Sequence, residues 1–347
     1  MLRWFDNVGQ SYADNYISSR IRLARNLKDH AFPWKLDTFK SAELVGKLIY
    51  GLSDISDAVG EPMETYSLDR LSEPERMAMR ERRLFNMQTA SKKESCAVLV
   101  SPEEDTSLIL DGDDHIRMQL LGAGMCLDEL WPRADKLDKY VGAKFEYAYS
   151  GKYGYLTTFP TNVGTGMKAN AVVHLPMLSR QNNFPQIIEG MSRLGVSIRG
   201  VYGKKEDNFG DLYDISNTKT LGLGEQDIIA GVKRVAGQLN AREIQARDVS
   251  LKSSRNVRLD EAYKSYGVLR YARKLSVKEA MIYLSHLRAA VCDELVHMDN
   301  DCSIYRMMLD IQPFNLMRTA DKPLNDEELD MFRAEYIRRE LPRIKED

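Results

Sequence analysis

Asp111-Gly112-Asp113-Asp114-His115-Ile116-Arg117 lies between two runs of strand-forming residues, Ser107-Leu108-Ile109-Leu110 and Met118-Gln119-Leu120-Leu121. A polar stretch this short between apolar ones constrains the chain. It either reverses there or carries three carboxylates, a histidine and an arginine inward. Asp and Gly tolerate positive φ, so a solvated hairpin turn accounts for the stretch taken alone. A second reading makes the acids part of a site. It requires cations elsewhere in the chain that could hold phosphate beside them.

The chain has 347 residues, room for one large domain and a smaller one. Its 49 basic and 51 acidic residues give a net charge of −2, which argues against a general nucleic-acid binder. The basic residues are local, as in Arg20 to Arg25, and suit a small anion. Four cysteines (Cys96, Cys126, Cys292, Cys302) are scattered without a C-x-x-C pair. Neither a disulfide framework nor a zinc site is expected, and a reducing cytoplasm is. No apolar run has transmembrane length, and Met1-Leu2-Arg3-Trp4-Phe5-Asp6 lacks a signal peptide's apolar core, so no membrane partner is expected.

Residues 1–17 read as a short extension with one helical turn and a loop. In Ile17-Ser18-Ser19-Arg20-Ile21-Arg22-Leu23-Ala24-Arg25 the alternation has the period of a strand. It puts Arg20 and Arg22 on one face, about 7 Å apart. Two guanidinium forks at that spacing can grip neighbouring phosphates, and an edge strand with solvated arginines has the same pattern. Helices are expected at 41–52, starting at Ser41, and at 72–88, where Ser72-Glu73-Pro74-Glu75 has capping-box spacing. Strands follow at 96–100, 106–110 and 116–121, then a helix over 123–140 that Pro132 must kink or restart.

A hairpin is expected over 144–158, leading into Phe159-Pro160-Thr161-Asn162-Val163-Gly164-Thr165-Gly166-Met167-Lys168. This loop could turn its N–H groups toward an anion or be a plain turn. A strand is expected from Ala171, with His174 read as a structural histidine. Helix 183–194 and strand 196–202 follow, then the polar loop Gly203-Lys204-Lys205-Glu206-Asp207-Asn208-Phe209-Gly210, which suits a hairpin or a catalytic flap. Strand 212–215 precedes a helix over 225–246. Beyond about residue 250 the strand signals stop, and helices are expected at 258–272, 276–297, 301–311 and 325–341. A domain boundary is placed at Asp248 to Ser254, dividing 18–250 from 251–347.

In order along the chain, Ser18-Ser19-Arg20-Ile21-Arg22, Asp114-His115-Ile116-Arg117, Pro160-Thr161-Asn162-Val163-Gly164-Thr165-Gly166, Arg199-Gly200-Val201-Tyr202-Gly203 and Ile215-Ser216-Asn217 resemble the guanido phosphotransferase (phosphagen kinase) family. The helical tail, with Ser265-Tyr266-Gly267-Val268-Leu269 and Phe332-Arg333-Ala334-Glu335-Tyr336, resembles its bacterial protein-arginine kinase branch. The resemblance implies an α+β fold: a large antiparallel sheet flanked by helices, then a smaller all-helical domain. Creatine and arginine kinases carry a helical domain ahead of their Ser-Ser-Arg stretch. Here seventeen residues precede Ser18, so an open site is expected, as a protein-borne arginine requires.

The implied activity is transfer of the γ-phosphate of ATP, with Mg²⁺, to arginine side chains of proteins. The implied nucleotide-binding residues are Ser18, Ser19, Arg20, Ile21, Arg22, Arg83, Arg117, Lys168, Ala169, Asn170, Ala171, Val172, Arg199, Gly200, Val201, Tyr202, Gly203 and Lys204. No metal ligand is expected from the protein alone. Two family glutamates that orient and deprotonate the guanidinium match Asp113 and Asp207, each one methylene shorter. Lys168 stands where the family has a phosphate-binding Arg, and Phe159 where it has a reactive Cys. Arg83 falls where the branch has an adenine-side His. A phosphoarginine-binding Arg-Asp-x-x-Arg-Ala motif is matched by Leu329-Asp330-Met331-Phe332-Arg333-Ala334, without its first Arg. Asp330 and Arg333 are therefore expected to be an exposed helical ion pair worth about 0.2–0.5 kcal/mol.

Implied partners are proteins with exposed arginine, a Clp ATPase, a zinc-finger activator and a second copy of the chain. Two other functions remain open at the level of sequence. One is a nucleotide-binding adaptor that has lost transfer. The other is a small-molecule guanidino kinase.

Overall fold

The structure is a computed structural model that describes residues 3–9, 15–92, 94–203 and 208–345. The alternating arginine stretch forms β1 (Tyr16–Arg25). Then come α1 (Thr38–Gly51), α2 (Ile55–Val59), β2 (Glu64–Ser67), α3 (Glu73–Glu81) and α4 (Met87–Ala90). Three strands, β3 (Ala97–Val100), β4 (Thr106–Leu110) and β5 (Ile116–Ala123), lead to α5 (Leu127–Lys144). The hairpin β6 (Tyr149–Ser150) and β7 (Gly154–Tyr155) precedes β8 (Met167–His174), α6 (Phe184–Ser192), β9 (Val196–Gly200) and β10 (Leu212–Asn217). Helices complete the chain: α7 (Glu225–Tyr271), α8 (Val277–Cys292), α9 (Ile304–Asp310), α10 (Pro313–Met317) and α11 (Asp326–Glu340).

Eight strands form one antiparallel sheet in the order β2-β3-β4-β5-β1-β8-β10-β9. β1 is paired on both sides, which removes the edge-strand reading of Arg20 and Arg22. Period-two alternation gives the sheet two different faces. Ile21, Leu23, Met118, Leu120, Ala169, Ala171 and Ile215 pack with Leu130 and Leu137 of α5 and Ile229, Val232 and Leu239 of α7 in the main core. On the other face Ile17, Leu121, Val172 and Leu212 pack with α8, α9 and α11 through Leu284, Tyr305, Met308 and Ile337. Trp4 and Phe5 join this second core, and the expected N-terminal turn is a 3₁₀ turn over Trp4–Asn7. The C-terminal helices thus cover one part of that face and leave its arginine-bearing part open.

Several boundaries differ from the sequence reading. α1 begins at Thr38, because Asp37 and not Ser41 caps it, accepting from Lys40 N at 2.9 Å. Ser41 instead points inward to the Ser95 carbonyl and Asp111. The single helix expected over 72–88 is two, α3 and α4, since Arg83 takes φ +69° and breaks the run. The Ser72/Glu75 capping box does start α3. α5 carries Pro132 inside one continuous element, without a restart. β8 starts early enough to contain Lys168. The helix expected to stop at 246 runs on to a break at Ser254 (φ −146°, ψ 32°), beyond which a second helical segment reaches Tyr271; α7 spans both. β2 had no counterpart in the sequence reading. No helix of the described residues is long and apolar enough to cross a membrane.

Candidate active site

Strand register builds the floor of a cavity of about 1090 Å³ on the sheet face away from α5. Arg20 and Arg22 come from β1, Arg117 and Gln119 from β5, and Lys168 and Asn170 from β8. Ser197 and Arg199 come from β9, and Asp214 and Ser216 from β10. Arg22 lies between Gln119 and Lys168 on the flanking strands. Arg20 lies beside Asn170, and Asp214 beside Arg199. Arg80, Glu81, Arg83 and Asn86 supply one wall, Gly200, Val201, Tyr202 and Gly203 another, and Gln312 reaches in from the C-terminal helices.

The described lining holds seven cations (Arg20, Arg22, Arg80, Arg83, Arg117, Lys168, Arg199) against two acids, Glu81 and Asp214. The whole chain carries −2, so this charge is concentrated by the fold. Asp214 lies 3.7 Å from Arg20 and accepts from Asn170 Nδ2 at 2.7 Å. Burial holds Arg22 well below the usual guanidinium value, and repulsion from Arg20 and Arg117 adds to it. Burial also lowers Arg20. It lowers Lys168, where Arg22 and Arg199 repel the ammonium and its Nζ donates to the Asn217 carbonyl at 2.6 Å. Buried Nε atoms of Arg20 and Arg22 and Nη2 of Arg83 have no hydrogen-bond partner. Unmatched like charges and unused donors in one concavity are what a multiply charged anion would satisfy.

The acidic segment is a turn between β4 and β5, closed by Asp111 N to His115 O at 2.8 Å, with Asp111 at φ +56°. It is a hairpin, but a buried one: Asp111, Asp114 and His115 are 0% exposed and Asp113 is 5%. Three of its polar residues hold the turn in place. Asp111 takes Lys92 Nζ at 2.8 Å. Asp114 accepts from Asn26 Nδ2 at 2.8 Å and Thr158 N at 2.7 Å. His115 Nδ1 accepts from Leu27 N at 2.9 Å while Nε2 faces the Ala31 carbonyl at 2.9 Å, which fixes its tautomer. Burial lowers its pKa and keeps it neutral. Asp113 is not itself in the cavity lining; its side chain is 2% exposed and its Oδ2 meets two lining residues, Arg117 through Nη2 and Asn86 through Nδ2, the latter at 2.8 Å.

The Arg83 wall rests on the C-terminal helices. Arg83 O accepts from Gln119 Nε2 at 2.8 Å. Glu81 accepts from Phe314 N at 3.2 Å and Asn315 N at 2.8 Å. Arg82 donates through Nε to both Glu104 oxygens, at 3.0 and 2.8 Å, and through Nη1 to Asn315 Oδ1 at 3.2 Å. Burial pushes Glu81 up to about 7 in spite of its two backbone donors.

The profile of the ATP:guanido phosphotransferase C-terminal catalytic domain matches residues 50–246, and that of the protein-arginine kinase McsB C-terminal domain matches residues 255–347. The chain belongs to the guanido phosphotransferase family. The protein-arginine kinase of Caldanaerobacter subterraneus subsp. tengcongensis is 35% identical over 331 residues, covering 94% of this chain and 97% of that one. That of Halothermothrix orenii is 36% identical over 330 residues, covering 94% and 93%. The duplicated taurocyamine kinase of Schistosoma mansoni shares the fold at TM-score 0.62 and 20% identity, over 78% of this chain and 39% of that one. Lombricine kinase shares it at TM-score 0.57 and 22% identity, over 70% of each chain.

Of the residues the family resemblance nominates, Arg20, Arg22, Arg83, Arg117, Lys168, Asn170, Arg199, Gly200, Val201, Tyr202 and Gly203 line the cavity together. Ser19 does not: its Oγ donates to the Gly124 carbonyl at 2.8 Å and accepts from Cys126 N at 3.0 Å. Ser18 is buried in β1, Ile21, Ala169 and Ala171 belong to the main core, and Val172 to the second. Lys204 and Asp207 lie outside the described residues. Gln119, Asp214, Asn86 and Gln312 were missed. Gln119 was legible as the residue two beyond Arg117 on one strand face, whereas Gln312 carries no local signal. In α11, Arg333 is not an exposed partner of Asp330. It is 1% exposed and donates to the Ile311 carbonyl at 3.0 Å, the Leu275 carbonyl at 2.9 Å and Asp330 at 2.5 Å. These carbonyls lie just before α8 and just after α9, so the arginine serves as an internal tie.

Proposed function

We propose that this member of the guanido phosphotransferase family is a protein-arginine kinase, which moves the γ-phosphoryl group of ATP to the guanidinium of arginine in proteins. The observation that carries the reading is the cavity floor of Arg20, Arg22, Arg117 and Lys168, with a buried carboxylate, Asp113, bonded to Arg117 and Asn86 behind the lining. Its unpaired donors fit the phosphates of ATP, and Mg²⁺ would enter with the nucleotide and neutralise charge between phosphate oxygens.

The chain's own part is positioning and electrostatics, which dominate phosphoryl transfer. Arg20, Arg22, Arg199 and Lys168 hold the phosphates, and Arg117 bridges them to Asp113. The acceptor guanidinium is cationic and a poor nucleophile. Asp113 orients it and favours loss of its proton as the N–P bond forms and the bond to the ADP oxygen breaks. Asp207 is assigned the second acid role from the sequence alone. The relatives' names support a protein-borne acceptor. The domain division at 250 rests on the loss of strand signals and the cytoplasmic location on the scattered cysteines, while a Clp ATPase, a zinc-finger activator and a homodimer rest on the resemblance.

The test is the intact mass of casein after incubation with the chain and Mg-ATP, handled without acid because the phosphoramidate bond is acid-labile. Phosphate gain lost in both Asp113→Ala and Asp207→Ala supports the reading. ATP binding without any gain overturns it in favour of a nucleotide-binding adaptor.

A further inference from the structure

The acid at position 113 is a methylene shorter than the family's glutamate, and a carboxylate set back by about 1 Å loses roughly a hundredfold in rate unless something holds it well. Asn86 is placed to do this. Its side chain has two ends with separate partners. Oδ1 accepts from Thr89 N at 2.9 Å, capping α4. With the carbonyl oxygen so engaged, the amide nitrogen must be the end that faces Asp113, and it donates to Oδ2 at 2.8 Å. Arg117 Nη2 reaches the same oxygen. Both donors therefore converge on Oδ2, and Oδ1, which takes neither, is the oxygen left for an acceptor guanidinium that reaches behind the lining. Asn86 also lines the cavity.

We infer that Asn86 is a positioning residue for Asp113, fixing which carboxylate oxygen meets the arginine substrate. This rests on the kinase reading given above. The cap makes the amide's orientation independent of substrate. The Arg117 contact is not reserved for Asp113, because Arg117 lines the cavity and in the kinase reading is shared with the phosphates. Asn86 then remains as the neutral donor that keeps the short acid in place.

Asn86→Ser separates the two ends, since serine caps a helix as asparagine does but cannot span to Asp113. The experiment measures steady-state transfer to casein and ATP affinity for the wild type, Asn86→Ser, Asn86→Asp and Asp113→Asn, each with its Tm. Expected for Asn86→Ser are an unchanged Tm and ATP affinity, with kcat reduced roughly tenfold to a hundredfold. Asn86→Asp keeps the cap and sets a second carboxylate against the first, so the acidic limb of its rate–pH profile moves to higher pH. If Asp113→Asn remains active, the kinase assignment of Asp113 fails. If Asp113→Asn is dead while Asn86→Ser turns over like the wild type, the positioning role alone fails. A parallel loss of Tm and of ATP affinity in Asn86→Ser would also overturn it, by making Asn86 a structural cap only.

Discussion

Arg22 on β1 and Lys168 on β8 are register partners on one face of the sheet, two cations side by side with a third, Arg20, two residues away. Burial disfavours the charged form of each, with repulsion from Arg20 and Arg117 added at Arg22 and from Arg22 and Arg199 at Lys168. The folded chain therefore carries a local cost that an anion relieves. Arg22→Gln should raise the stability of the ligand-free protein by about 0.5–2 kcal/mol, read by urea unfolding. The same change should weaken ATP binding by roughly tenfold to a hundredfold. A variant that loses stability without nucleotide would contradict the charge argument.

Asp113→Glu restores the family's longer acid, yet it should not restore activity. Asn86 and Arg117 are spaced for the shorter side chain, and a carboxylate advanced by about 1 Å leaves both donors and should lower kcat by roughly a hundredfold. Equal or higher turnover in Asp113→Glu would mean the shorter acid is a loss that nothing offsets.

Glu81 gives a pH dependence of definite sign. Its folded value is raised to about 7 by burial, above the model-peptide value of about 4.3. The folded state thus holds this proton more tightly than the unfolded state. The resulting stability is complete below the unfolded value and is lost as pH rises through about 7. Glu81→Gln, which stays neutral, should lose less Tm than the wild type between pH 5.5 and 8. The comparison is the difference between the two proteins, because buried Glu243 titrates with the same sign and His174 with the opposite one.

Arg333 should behave as a core residue. Arg333→Ala strips donors from the Ile311 and Leu275 carbonyls, and each buried group left unpaired costs about 1–3 kcal/mol. Urea unfolding should show a loss well above the few tenths of a kcal/mol that a surface pair contributes. A loss that small would return Arg333 to the surface role its i,i+3 spacing suggests.

What was legible in the sequence was what strand and helix periods encode. Arg20 and Arg22 flank Ile21 in alternation, and that alone places them on the face opposite the core. The Ser72/Glu75 box marked where α3 starts, but nothing local marked its end. The break at Arg83 is imposed by distant partners: Glu104 and Asn315 hold Arg82, and Gln119 holds the Arg83 carbonyl. The same limit hid Gln312, which enters the cavity through tertiary packing, and the burial of Arg333, whose partners are backbone carbonyls far along the chain. Asp330 and Arg333 share the i,i+3 spacing of any surface pair, so sequence could not distinguish a solvated face from a packed one. The serines and charges of 248–254 read as a linker; the stretch is helical up to a break at its last residue, Ser254, which no local signal distinguishes from a loop.

The cavity floor and the main core are opposite sides of the same strands. Inserting a single residue in β1 would turn Arg20 and Arg22 toward α5 and present Ile21 and Leu23 to the cavity. Change at this site is therefore constrained: an inserted residue inverts both faces, whereas trimming or extending a side chain at a fixed position leaves them in place. The aspartate at 113 and the lysine at 168 are departures of that permitted kind. Attempts to redirect such a protein to a new acceptor would do best to vary reach and charge at these positions and leave the spacing of the strands alone.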